Sequence, residues 1–200
     1  MTAANRSFLL AGDDPPSKVA ILEHALALFV RDGLCETSIR DIAEAAGYTN
    51  PALYKFFPSK DALALHLFER CYAHLSNRLA DAVAGDGKFE DKLDALLASF
   101  LRLLDEDLEA VLYANETLRT FWRKLPPAAR RHSVLGALRG LLEVGLREGA
   151  VRRDLDLSLA VALLVGTFGQ IARMAYFREL PRPYIQSLSS LRPMLKGALC

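Results

Sequence analysis

The sequence predicts an all-α protein of about nine helices, a short N-terminal helix-turn-helix head followed by a longer helical bundle. Three observations carry this. Apolar residues recur at i, i+3, i+4 and i+7 along most of the 200 residues, and no segment shows the sustained alternation of a half-buried strand. The breaks between periodic segments are glycine or proline punctuation: Ala46-Gly47, Gly85-Asp86-Gly87, Pro126-Pro127, Gly149 and Pro181-Arg182-Pro183.

In chain order, residues 1–16, MTAANRSFLLAGDDPP, lack the basic-then-apolar pattern of a signal peptide and are expected to be a disordered leader. Ser17 is positioned to cap a first helix reaching about Arg31, with Ile21, Leu22, Ala25 and Phe29 on one face. Residues 17–60 form the expected head and 61–200 the body. A long helix is predicted from Lys60 to about Ala84, then others at roughly 88–104, 106–121, 127–148, 156–179 and 183–198, the last with a kink expected at Pro193.

Thr37 to Lys60, TSIRDIAEAAGYTNPALYKFFPSK, is the most informative stretch. Ile39, Ile42, Ala43 and Ala46 share a helix face, and Ser38 with Asp41 has capping-box spacing. Gly47 suits the left-handed end of that helix, and Thr49 suits the cap of a second one running from Asn50 to Phe56. Leu53 and Phe57 would pack inward, leaving Asn50, Ala52, Tyr54 and Lys55 outside. An Asn pairs bidentately with adenine, an Ala methyl touches thymine, and Tyr and Lys hold phosphates.

The segment resembles the DNA-binding region of the TetR/AcrR family of bacterial transcriptional regulators, whose pattern runs roughly T-[ST]-x-x-D-I-A-x-x-A-G-V-S-x-G-x-L-Y-x-H-F-x-S-K-x-x-L. The chain matches it without a gap at Thr37, Ser38, Asp41, Ile42, Ala43, Ala46, Gly47, Leu53, Tyr54, Phe57, Ser59, Lys60 and Leu63. Pro51 replaces the usual small residue, which a first helical turn tolerates because its missing N–H had no partner there. Phe56 stands where the family often has a phosphate-contacting His or Tyr, and it cannot donate. The resemblance implies a sequence-specific regulator, most often a repressor, that reads a palindromic operator in double-stranded DNA as a homodimer. The expected phosphate contacts are Thr37, Thr49, Tyr54 and Lys60, with Arg40, Asn50, Lys55 and Ala52 at the bases.

Composition narrows the alternatives. Residues 1–60 carry six Lys or Arg against seven Asp or Glu, a net of −1, so the head is no generic polycation and must lean on positioned contacts. No run of 18 apolar residues appears, so no membrane span is expected. Cys35, Cys71 and Cys200 are odd in number and lack metal-ligand spacing, which points to reduced thiols in the cytoplasm. No phosphate loop, nucleophile elbow or metal motif is present, so neither an enzyme, a cofactor nor a bound metal is expected.

In the body, the 156–179 helix is apolar on two sides, Leu159, Leu163, Gly166, Gln170 and Phe177 on one and Val161, Leu164, Val165, Phe168, Ile171 and Ala175 on the other. One side fits its own core and the other a second subunit, so dimerisation is expected through the helices after Asp156. The resemblance also implies a small-molecule effector in the body. Phe100, Leu104, Tyr113, Trp122, Phe168 and Met174 are the candidate apolar walls, with Glu116 and Gln170 as polar fixtures. Nine basic residues against two acidic ones between Arg119 and Arg153 admit an anionic effector such as an acyl-CoA or fatty acid. The alternative reading is a protein of the same fold that binds a hydrophobe and no longer binds DNA.

Overall fold

The computed structural model describes residues 6–9, 14–131 and 133–200, and among them every regular element is helical. In order these are α1 Pro16–Asp32, α2 Ile39–Ala45, α3 Asn50–Tyr54, α4 Lys60–Val83, α5 Phe89–Phe121, α6 Pro127–Arg131, α7 Val134–Glu148, α8 Leu157–Tyr176 and α9 Leu188–Leu199. The all-α class is as the periodicity predicts. Several boundaries move, each for a local reason.

Helix α1 starts one residue before Ser17. Pro15 leads in with an extended backbone and Pro16 takes the first helical turn, where its fixed φ fits and no N–H is missed. The expected break near residue 105 shrinks to a single residue, Asp107, whose φ of −142° and ψ of 51° interrupt an otherwise helical α5. The single helix expected over 127–148 is two, because the Ser133 hydroxyl accepts from the Gly136 amide and starts α7 afresh. The Asp156 carboxylate caps α8 by accepting from the Ser158 and Leu159 amides at 2.8 and 3.1 Å. Before α9 lies a 3-10 turn, Tyr184–Ser187, whose first amides donate to the Asp105 carboxylate at 3.0 and 3.3 Å.

The leader needs correction where it is described; residues 1–5 and 10–13 lie outside the described residues. Ser7–Leu9 form a 3-10 turn in which Leu9 is fully buried, Phe8 stacks on His74 at 4.1 Å, and Arg6 pairs with Glu109. The apolar Phe8-Leu9 pair gains more from burial than a solvated tail would keep.

The chain divides into two compact units. One contains the described residues up to His74 together with Glu109–Leu125, and the other Leu75–Leu108 and Pro126–Cys200. The expected head of residues 17–60 is thus part of a larger unit, because α4 as far as His74 and the part of α5 from Glu109 complete its core. Ile21, Leu22, Leu26, Ile42, Leu53, Leu63 and Phe68 are fully buried there. Tyr113, from α5, stacks on Phe29 at 5.8 Å and donates its hydroxyl to the Ala64 carbonyl at 2.9 Å. Burial pushes that phenol well above its usual pKa, so it remains a neutral strut.

In the other unit, Phe100 and Phe168 stack at 4.2 Å with both rings buried. Gly145 allows α7 an approach that a methyl would block, since a Cβ there would lie 2.5 Å from Val151 and 2.7 Å from Phe89. Helix α8 buries Val161, Leu164, Phe168, Ala172 and Ala175. Its opposite face leaves Leu159, Ala162, Leu163, Gly166, Gln170 and Phe177 exposed, as the two-sided pattern predicts. One helix bears on the membrane expectation. The only charged residue in α8 is Arg173, and by length and composition the helix would suffice to cross a bilayer, although it is one-third buried in this fold.

Candidate nucleic-acid interface

Helices α2 and α3 are held by local chemistry. The Ser38 hydroxyl accepts from the Asp41 amide at 3.2 Å, and the Asp41 carboxylate accepts from the Ser38 amide at 2.8 Å, a complete capping box. The Ser38 hydrogen bonds also hold the Asp41 carboxyl below its usual pKa. Ser38→Ala should cost about 1 kcal/mol, read as a lower urea midpoint with unchanged slope. Gly47, at φ +74°, makes the left-handed step between the two helices that a β-carbon would strain.

Ile42 and Ala43 from α2, Leu53 from α3 and Phe57 after it are buried. The opposite side of the same two helices faces solvent. Arg40, Thr49, Asn50, Tyr54 and Lys55 are exposed, Tyr54 by 51%, and Ala52 is half-buried. Asn50, Tyr54 and Lys55 thus stay outside, as expected of them, while Ala52 is partly covered. Thr49 has the extended backbone of a helix cap, but its side chain makes no cap hydrogen bond, so the hydroxyl expected to cap α3 does not do so. Pro51 occupies the first turn of α3 without disturbing it. Phe56 is half-buried.

Two of the expected phosphate contacts have partners within the fold. Thr37 is only 2% exposed, and its hydroxyl donates to the Gly33 carbonyl at 2.9 Å and lies 3.5 Å from that of Leu28. It closes the loop after α1. The Lys60 ammonium likewise donates within the chain, to the carbonyls of Leu34, Cys35 and Thr37. The Ser59 hydroxyl accepts from the Ala62 amide at the start of α4.

Tyr48 is the residue that sequence reasoning passed over. It lies between Gly47 and Thr49 and is 37% exposed. The available signal was its type, since the TetR/AcrR pattern has Val at that position and an aromatic there is too large to tuck wholly inside.

The expected effector residues are divided between the two compact units. Tyr113, Glu116 and Trp122 belong to one compact unit, and Phe100, Leu104, Phe168, Gln170 and Met174 to the other, because the boundary crosses α5 next to Asp107. Glu116 and Gln170 are exposed, and Gln170 accepts from Arg173 at 3.2 Å. Leu104 is fully buried, Met174 half-buried, and Trp122 meets Tyr72 edge-on at 5.9 Å. Among the described residues of the basic stretch, Arg139, Arg147, Arg152 and Arg153 are exposed in the second unit.

Residues 21–67 match the family model described as bacterial regulatory proteins, tetR family. The HTH-type transcriptional repressor KstR2 of Rhodococcus jostii is 30% identical over 159 residues, covering 75% of each chain. The fatty acid metabolism regulator protein of Bacillus subtilis is 22% identical over 157 residues, covering 78% of this chain and 81% of its own. The solved structure of the ketosteroid transcriptional regulator KstR2 of Mycobacterium tuberculosis superposes with a TM-score of 0.79 at 24% identity, over 94% of this chain and 97% of that one. FadR of B. subtilis, solved in complex with stearoyl-CoA, superposes with a TM-score of 0.73 at 19% identity, over 91% and 99%. A gap-free helix-turn-helix match, full-length likeness in fold and a 30%-identical repressor agree, and the chain belongs to the TetR family of DNA-binding transcriptional regulators.

Proposed function

We propose that this protein is a dimeric repressor that reads a palindromic operator and is released by a small, largely hydrophobic effector carrying an anionic group. The observation that carries the reading is the outer face of α2 and α3, where Arg40, Asn50 and Lys55 present base-reading chemistry beside the Thr49 and Tyr54 hydroxyls while Leu53 anchors the same short helix beneath. Two half-sites are needed because one near-neutral head neutralises few phosphates. The apolar outer face of α8 supports the second copy.

For the effector, a thioester of coenzyme A is the favoured class. FadR of B. subtilis has been solved with stearoyl-CoA, and the second unit here combines an apolar interior with exposed arginines. Repression fits the similarity to a KstR2 repressor. Such a regulator acts in the bacterial cytoplasm.

Selection of fragments from the source genome by the purified protein should enrich a palindrome. Asn50→Ala should cost about 1–3 kcal/mol of discrimination, and Tyr54→Phe should weaken binding to all sequences more evenly. A folded dimer that enriches nothing at low salt would leave the hydrophobe-binding alternative in its place.

A further inference from the structure

Lys60 opens α4, and its ammonium donates to the carbonyls of Leu34 at 2.9 Å, Cys35 at 3.3 Å and Thr37 at 2.9 Å. An ammonium has three donors and no acceptor, so its capacity is spent within the chain. The three carbonyls belong to the loop between α1 and α2, where no helix ladder pairs them. The same loop is fastened from the other direction by the Thr37 amide and hydroxyl, which both donate to Gly33. Lys60 is half-buried, so a phosphate could take the ammonium only by stripping charge-assisted bonds already made.

We infer that Lys60 is a positioning residue for DNA reading: it ties the first turn of α4 to the α1–α2 loop and so fixes where α2, and the reader behind it, begins. The link is direct. Thr37, one of its acceptors, precedes Ser38, the cap of α2, and α2 leads through Gly47 into α3. The compact ammonium suits three converging carbonyls; the planar fork of an arginine does not, although it holds a phosphate at least as well.

The inference rests on the DNA-reading proposal, and the experiment separates the two. Fluorescence anisotropy measures affinity for the selected operator and for an unrelated duplex across a KCl series, with wild type, Lys60→Met and Lys60→Arg. Wild type preferring the operator upholds DNA reading by itself; the absence of any preference overturns both. If Lys60 positions the reader, both variants lose roughly tenfold or more in operator affinity, the equivalent of one charge-assisted hydrogen bond, while affinity for the unrelated duplex and its salt slope stay as in wild type. A phosphate contact would instead be retained in Lys60→Arg, and in Lys60→Met it would weaken both duplexes and make the salt slope shallower by about 0.9. That pattern overturns the inference, as does unchanged operator affinity in both variants. Circular dichroism verifies folding at the assay temperature. Should Lys60→Met unfold, Lys60→Gln, which keeps two donors, carries the same comparison.

Discussion

Leu159→Glu combined with Leu163→Glu should yield a folded monomer whose operator affinity falls on the order of 10²–10⁴-fold, because linking two heads supplies that much effective concentration. Leu159 is 69% and Leu163 43% exposed on the protomer, so neither contributes much to its own core, and carboxylates there cost the fold little. Beside them Ala162 and Gly166 are exposed, and nothing lies within 4 Å of a β-carbon built on Gly166, so a second backbone has room to approach. Phe177 continues the same face at 66% exposure. Against that face, two carboxylates per protomer would be buried without partners, which no dimer interface tolerates cheaply. Sedimentation equilibrium measures the mass and anisotropy the affinity. A double variant that remains dimeric would place the interface elsewhere. A wild-type monomer that floats with liposomes would assign the α8 face to lipid instead.

Phe168→Ala is the second large effect, expected at about 3–5 kcal/mol of stability. The ring is stacked on Phe100 at 4.2 Å, and Leu164 and Ala172 on the same side of α8 are fully buried. Truncation therefore leaves a void in a packed region. For a chain of this size the thermal midpoint should drop by roughly 6–20 °C, read by calorimetry. The result also tests the effector assignment. A ring facing an open cavity has already lost half its contacts, so a cost below about 1 kcal/mol would return Phe168 from core to cavity wall.

What was legible in the sequence was whatever depends on spacing along one helix. The capping box of Ser38 and Asp41, the left-handed Gly47, the inward Leu53 and the two faces of α8 all follow from neighbours within a few positions. What was not legible depends on partners far away in the chain. Thr37 and Lys60 match the family pattern, but the carbonyls that the Lys60 ammonium meets are 23 to 26 positions earlier. Asp105 is 79 positions from the Tyr184 amide it caps, so no local rule could have singled it out. The same limit applies to the effector residues. Aromatic residues at helical spacing mark buried faces, and periodicity alone cannot say which compact unit each face serves.

Tyr113 reaches back along the chain to Phe29 and Ala64. The DNA reader is completed by residues more than eighty positions downstream of Phe29, so it is not a cassette that ends where its motif ends. A chimera joined at residue 60, with another family member's body, would exchange the reading surface but mismatch the ring and hydroxyl beneath it. Regulators with new operator preferences should therefore be made by grafting the outer side chains of α2 and α3, or by moving Glu109–Leu125 along with the head. The same constraint bears on natural recombination: breakpoints that respect this architecture come in pairs.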